Sequence, residues 1–195
     1  MQIGLTNATR YPCQMLRVLL AYRARADLPV AVSHEVPAVT AALAITASRL
    51  ARTDAQRRIA LWISSHDHVI WKAWPSVVRL DLTECPWQPS SFEEDREFLL
   101  AVIDELSAGE DLEPLQDRIY LPTLRRILPQ PLEVARTLLR AFAFEHARHE
   151  TAFVWGYNGG AAPTHLARCA EHDVYLHANG CIVEHLPVRQ RFPFE

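Results

Sequence analysis

Lysine is almost missing from this chain: nineteen of its 20 basic residues are arginine, and Lys72 is the exception. That bias fits a GC-rich genome and carries little chemistry of its own. Long apolar runs are missing too. The longest weakly apolar stretch, Pro37 to Ala47, is too short to span a bilayer, and Met1 to Leu5 lacks the basic start and apolar run of a signal peptide. A soluble, cytoplasmic protein is expected. The four cysteines, Cys13, Cys85, Cys169 and Cys181, do not have the density of a secreted disulfide framework in a chain of 195 residues, so reduced thiols are expected.

Catalytic signatures are equally scarce. Neither HExxH nor HxxEH occurs, no serine or cysteine sits in a nucleophile elbow, and internal repeats, heptads and low-complexity tracts are absent. The loop Gly156 to Gly160 has neither the GK[ST] ending of a phosphate loop nor the GxGxxG spacing of a dinucleotide site, which makes it a turn before it is an anion cradle. His66-Asp67-His68 falls at an expected hairpin tip, where polar residues are ordinarily just solvated.

What the chain does have is a lopsided charge distribution beneath a net charge of −3. Residues 1–80 carry ten basic and four acidic side chains, residues 81–135 four and thirteen, and residues 136–195 six of each. Between Asp81 and Asp117 there are twelve carboxylates and one arginine, Arg96. Such a block repels nucleic acid and attracts basic partners by long-range steering.

A composition of 49% apolar and 22% charged residues suits one substantial core, so residues 1–195 are read as a single domain. A subdivision near 84–90 and an extended tail at 187–195 are marked by prolines. Hydrophobic spacing predicts an α+β fold with four to five main helices, an antiparallel β-meander over about 59–82 and a C-terminal β-hairpin over about 174–185. Its strands are Ile59 to Ser64, Val69 to Trp74 and Val77 to Leu82. Among the helices, Val39 to Leu50 is alanine-rich, and Ser91-x-x-Glu94 is a capping box opening a helix that ends at Gly109. Leu132 to His149 is expected as one helix, with Ala135, Leu139, Phe142, His146 and His149 along its stripe.

The segment Cys169 to His185 is the richest in metal-ligand side chains, with two cysteines and three histidines. Cys169-x2-His172 and Cys181-x2-Glu184 have the two-residue spacing of zinc ligand pairs, and His146 and His149 add two imidazoles upstream. The turn chemistry argues the other way. Asn179-Gly180 is the preferred two-residue loop of a type I′ hairpin. It would pair Ala178 with Cys181 and place that thiol at the tip, about 15 Å from Cys169 and His172 at the base. Glu184 would then face away from Cys181. The expectation is therefore no metal, with buried cysteines and a polar hairpin face. The alternative is zinc held by some of His146, His149, Cys169, His172 and Cys181.

Two functions follow. The first is a non-enzymatic bacterial protein of the immunity or inhibitor type, whose acidic surface binds a basic partner such as a nuclease toxin. Its contact residues would be Glu93, Glu94, Glu97, Asp104, Glu105, Glu110 and Asp111. No nucleic acid or membrane partner is expected. The second is a metal-dependent enzyme or zinc-stabilised regulator built on the histidines and cysteines of the C-terminal third.

Overall fold

The computed structural model describes residues 35–66, 80, 82–109, 112–147 and 166–186. Five α-helices account for most of them: α1 (Glu35–Leu50), α2 (Asp54–Ser64), α3 (Phe92–Ala108), α4 (Leu121–Ile127) and α5 (Pro129–Ala141). Short 3-10 turns at Leu82–Glu84, Glu113–Leu115 and Phe144–His146 link them. Two isolated bridges, Arg168 with Tyr175 and His177 with Gly180, are the extent of β-pairing among the described residues. The α+β expectation is thus corrected to a helical fold. No helix among the described residues is long and apolar enough to cross a membrane.

At the centre lies α1, every residue of which from Ala38 to Ser48 is buried. A helix covered all round needs no polar face, and its alanines at 38, 41, 42, 44 and 47 let neighbours approach closely. It packs against α2, α3 and α4, while α3 packs in turn against α5. The predicted alanine-rich helix is present, four residues longer at its start.

Where the first strand of the meander was expected, the chain forms α2. Its start is fixed by a capping box: Gln56 N–H donates to the Thr53 hydroxyl (3.2 Å), and Thr53 N–H donates back to the Gln56 side-chain oxygen (3.2 Å). All of Ile59 to Ser64 is buried. Burial on every side erased the 3.6-residue period, so a run of six read as a strand when the box upstream already specified a helix. The expected second strand, 69–74, lies outside the described residues, as does most of the third. At its end, Leu82–Glu84 is a 3-10 turn.

The predicted face of α3 is borne out, with Phe92, Leu99, Val102, Ile103 and Leu106 buried and Gly109 closing the helix at φ 79°. Its capping box is not. The Ser91 hydroxyl donates instead to Asp95 Oδ2 (2.7 Å), and Asp95 is itself buried on the inner face. The expected single helix of 132–149 also stops early. Phe142 is extended at ψ 126°, and Phe144–His146 is a separate 3-10 turn, so the stripe does not continue to His146. Phe142 turns inward to stack on Trp87 (centroids 5.6 Å), whose indole N–H donates to the Leu82 carbonyl (2.6 Å). Cys85 and Trp87 of the proline-marked stretch 84–90 are buried in the core, while Pro89 and Ser90 are exposed.

Burial pushes the Asp95 carboxyl above its ordinary range, opposed by the Ser91 hydrogen bond and reinforced by neighbouring Glu94. The folded chain therefore holds this proton more tightly than the unfolded chain. Stability from Asp95 is complete below the ordinary carboxylate value of about 3.9 and falls as pH rises through the folded value. Asp95→Asn, which keeps an acceptor for Ser91, is expected to raise the denaturation midpoint at pH 7, with the gain vanishing below about pH 4. A lower midpoint at neutral pH would show that the carboxylate is stabilising.

Candidate metal centre

Residues 166–186 contain little regular structure, and two chain reversals shape them. In the first, Cys169 N–H donates to the Val174 carbonyl (2.8 Å) and Asp173 N–H to the Cys169 carbonyl (3.0 Å). Asp173 takes the left-handed conformation at φ 52°, and the Arg168 guanidinium clamps its carbonyl and carboxylate. Aspartate is among the few residues that tolerate this geometry. The reversal carries His172 back over Cys169.

In the second reversal, His177 and Gly180 exchange both backbone hydrogen bonds (3.1 and 3.0 Å), and Gly180 adopts φ 113°. The two loop residues are therefore Ala178 and Asn179, one position earlier than the Asn179-Gly180 turn read from sequence. A slip of one residue moves every side chain beyond it to the opposite face. Over residues 181–186 there is no returning strand. Glu184 N–H and His185 N–H both donate to the Cys181 carbonyl (3.1 and 3.4 Å), a helical turn that brings the Glu184 carboxylate alongside the Cys181 thiol.

The outcome is a convergence of four donors. Cys169 Sγ, His172 Nδ1, Cys181 Sγ and a Glu184 oxygen all lie within 4.8 Å of one another. His172 Nδ1 is 3.6 Å from each sulfur, Glu184 Oε1 is 3.5 Å from Cys169 Sγ, and Glu184 Oε1 is 4.0 Å from His172 Nδ1. A tetrahedral zinc with metal–donor lengths of about 2.0 to 2.3 Å has donor–donor edges of about 3.3 to 3.8 Å. Four of the six edges lie in or close to that range, and the other two are no longer than 4.8 Å. The separation of about 15 Å expected for a regular hairpin is corrected accordingly.

Burial is graded across the group. Cys181 and Cys169 are 2% and 8% exposed, the His172 side chain 8%, and the Glu184 side chain 50%. Desolvation, with Cys169 beside it, pushes the Cys181 thiol up to about 11, although the Glu184 and Val183 amides favour its thiolate. Capture of a metal by this thiol would therefore release its proton. On the far side of the ring, Glu171 Oε1 is 3.7 Å from His172 Nε2.

The segment is anchored to the core at two places. Tyr175 N–H donates to the Ser48 hydroxyl of α1 (3.2 Å), and Arg118 donates to the carbonyls of Leu186 (3.0 Å) and Glu184 (3.4 Å). Val174, Tyr175, Ile182, Val183 and Leu186 are buried in the same core as the helices.

The other sequence candidates lie elsewhere. His146 accepts a hydrogen bond from Ala143 N–H at Nδ1 (3.3 Å) and contacts Phe142, apart from the four donors. His149, His68 and the 156–160 loop fall outside the described residues, as do Glu110 and Asp111. His66 sits at the end of α2, with Nδ1 2.7 Å from the Trp62 carbonyl. On α3, Glu93, Glu97 and Asp104 share one stripe with Glu94 and Glu105 beside it. Three of these five are engaged: Glu93 with Arg96, Asp104 with Arg136 and Glu105 with Arg49. Arg136 also holds Glu133. Glu94 and Glu97 are exposed.

Glu184 completes the donor set: the spacing pairs it with Cys181, the expected hairpin register turns it away, and the zinc alternative of five residues omits it. Its spacing of three from Cys181 repeats that of His172 from Cys169, and this symmetry was the available clue. Comparison with protein-family models, curated proteins and solved structures returned no match to this chain. Geometry alone therefore carries the reading of the site.

The anchoring can be tested without metal. Ser48→Ala removes the acceptor for a buried amide and is expected to cost about 1–3 kcal/mol, read as a shift in denaturant midpoint. An unchanged midpoint would mean that this hydrogen bond does not secure the segment.

Proposed function

We infer that the chain is a zinc-stabilised binding or regulatory protein in which Cys169, His172, Cys181 and Glu184 hold a structural metal. The convergence of four donors within 4.8 Å, with four of the six edges close to those of a tetrahedron, carries this reading. Two sulfurs, one imidazole nitrogen and one carboxylate oxygen suit zinc, and the thiols disfavour magnesium or calcium. Four protein donors fill a tetrahedral sphere, the pattern of structural sites, whereas catalytic zinc keeps a position for water or substrate. A cleft of about 390 Å³ beside Ser107, Gly109, Arg125 and Leu128 includes none of the four donors. A stabilising role follows from both points.

Zinc analysis of the purified, extensively dialysed protein is expected to give about one equivalent per chain, as for a four-ligand site. Chelator should lower the thermal midpoint, and Cys169→Ser or Cys181→Ser should abolish retention. Metal-free protein that refuses added zinc and melts identically with chelator would overturn the reading.

A second reading concerns the partner. The exposed Glu94 and Glu97, on the same face as three paired acids, suit a basic protein surface of the kind an inhibitor or immunity protein meets. The arginine pairings of Glu93, Asp104 and Glu105 leave less net charge there than the sequence promises. Against an isolated partner, charge reversal of Glu93, Glu94 and Glu97 is expected to slow association and flatten its salt dependence. Unchanged kinetics would remove this face from consideration.

A further inference from the structure

The same four-donor site contains a pair of thiols that no other part of the described molecule reproduces, and we propose that Cys169 and Cys181 form a hydroperoxide-reactive modification site, closing to a disulfide with expulsion of zinc. The inference rests on the zinc reading and adds a regulatory chemistry to it.

Three observations support it. The two sulfurs lie within 4.8 Å of each other, both free, so a disulfide bond of about 2.05 Å needs only a local closing movement. They sit on separate reversals whose few backbone hydrogen bonds leave that movement available. Access is also asymmetric. Glu184 is half exposed and stands 3.5 Å from Cys169 Sγ, whereas Cys181 is 2% exposed. A small peroxide entering past the carboxylate reaches Cys169 first. Cys85 is buried in the helical core beside Asp95 and is not among the converging donors.

The chemistry balances. The Cys169 thiolate attacks the terminal oxygen of the hydroperoxide, the O–O bond breaks, and the alkoxide leaves and takes up a proton as the alcohol. Sulfur is thereby oxidised to the sulfenic acid. The Cys181 thiolate then attacks that sulfur, forming the S–S bond and releasing hydroxide, which is protonated to water. Two electrons pass from the thiolates to the peroxide, two protons are consumed, and zinc remains divalent throughout. It is left with only His172 and Glu184 and departs. The segment that caps α1 through Tyr175 and Ser48 then loses the ion that fixes its two reversals.

The test uses the full-length, zinc-loaded protein, with hydrogen peroxide added stepwise without oxygen. A chromogenic chelator follows zinc, and peptide mass mapping follows the thiols. The expected result is about one zinc released per chain oxidised, a Cys169–Cys181 disulfide about 2 Da lighter than the dithiol, and reversal by thiol reductant with zinc recovery. In Cys181→Ser, Cys169 should stop at the sulfenic acid and be captured by dimedone. Zinc retained with both thiols intact, at peroxide levels that oxidise a free thiol, would overturn the inference and leave the metal site standing. Release with sulfinic acid and no disulfide, or a disulfide to another cysteine, would also overturn it. A protein that takes up no zinc overturns both.

Discussion

A helix with no wet side constrains everything around it. From Ala38 to Ser48, α1 is buried on all faces, so each face has to be met by another part of the chain. Helices α2, α3 and α4 meet three of them, and the small side chains of α1 allow those helices to pack closely. The segment 166–186 is fastened to the same helix, through the Ser48 hydroxyl and the Tyr175 amide. Local structure in that segment is therefore a condition for completing the core.

That requirement explains why a metal suits this place. Ordering an irregular loop costs roughly 1–2 kcal/mol per residue in backbone entropy, and the 166–186 segment recovers little from ladder hydrogen bonds because it has only isolated bridges. Its buried Val174, Tyr175, Ile182, Val183 and Leu186 contribute through the hydrophobic effect. On the zinc reading proposed above, an ion joining both reversals would contribute on the order of 10 kcal/mol, comparable with the whole stability of an ordinary domain. The proposed metal and the central helix would in this sense be parts of one mechanism of stabilisation.

Much of the helical framework was legible in the sequence where the apolar period was clean. The inner face of α3, the left-handed Gly109 stop and the alanine-rich α1 all follow from spacing and caps. Legibility failed where burial was complete. Ile59 to Ser64 has no polar face to reveal its period, and the Thr53 to Gln56 box was the better guide. It failed again at Phe142, where the chain leaves its helix to place an aromatic ring against Trp87, a tertiary demand that no local pattern announces. The candidate site turned on the loop and on the helical turn that follows Cys181 in place of a strand. Reading the loop as Asn179-Gly180 separates the donors, whereas the loop at Ala178-Asn179, with Gly180 at φ 113°, gathers them. The acidic block was visible as composition, but its neutralisation by Arg49, Arg96 and Arg136 depends on helix packing and was not.

X-ray absorption at the zinc edge of the protein, as isolated from cells, addresses the central claim most directly because it counts donors by element and distance. The account predicts two sulfur scatterers at about 2.3 Å and two nitrogen or oxygen scatterers at about 2.0 to 2.2 Å, four in all. A spectrum of six light scatterers without sulfur, as given by an ion bound loosely to surface carboxylates and water, would contradict it.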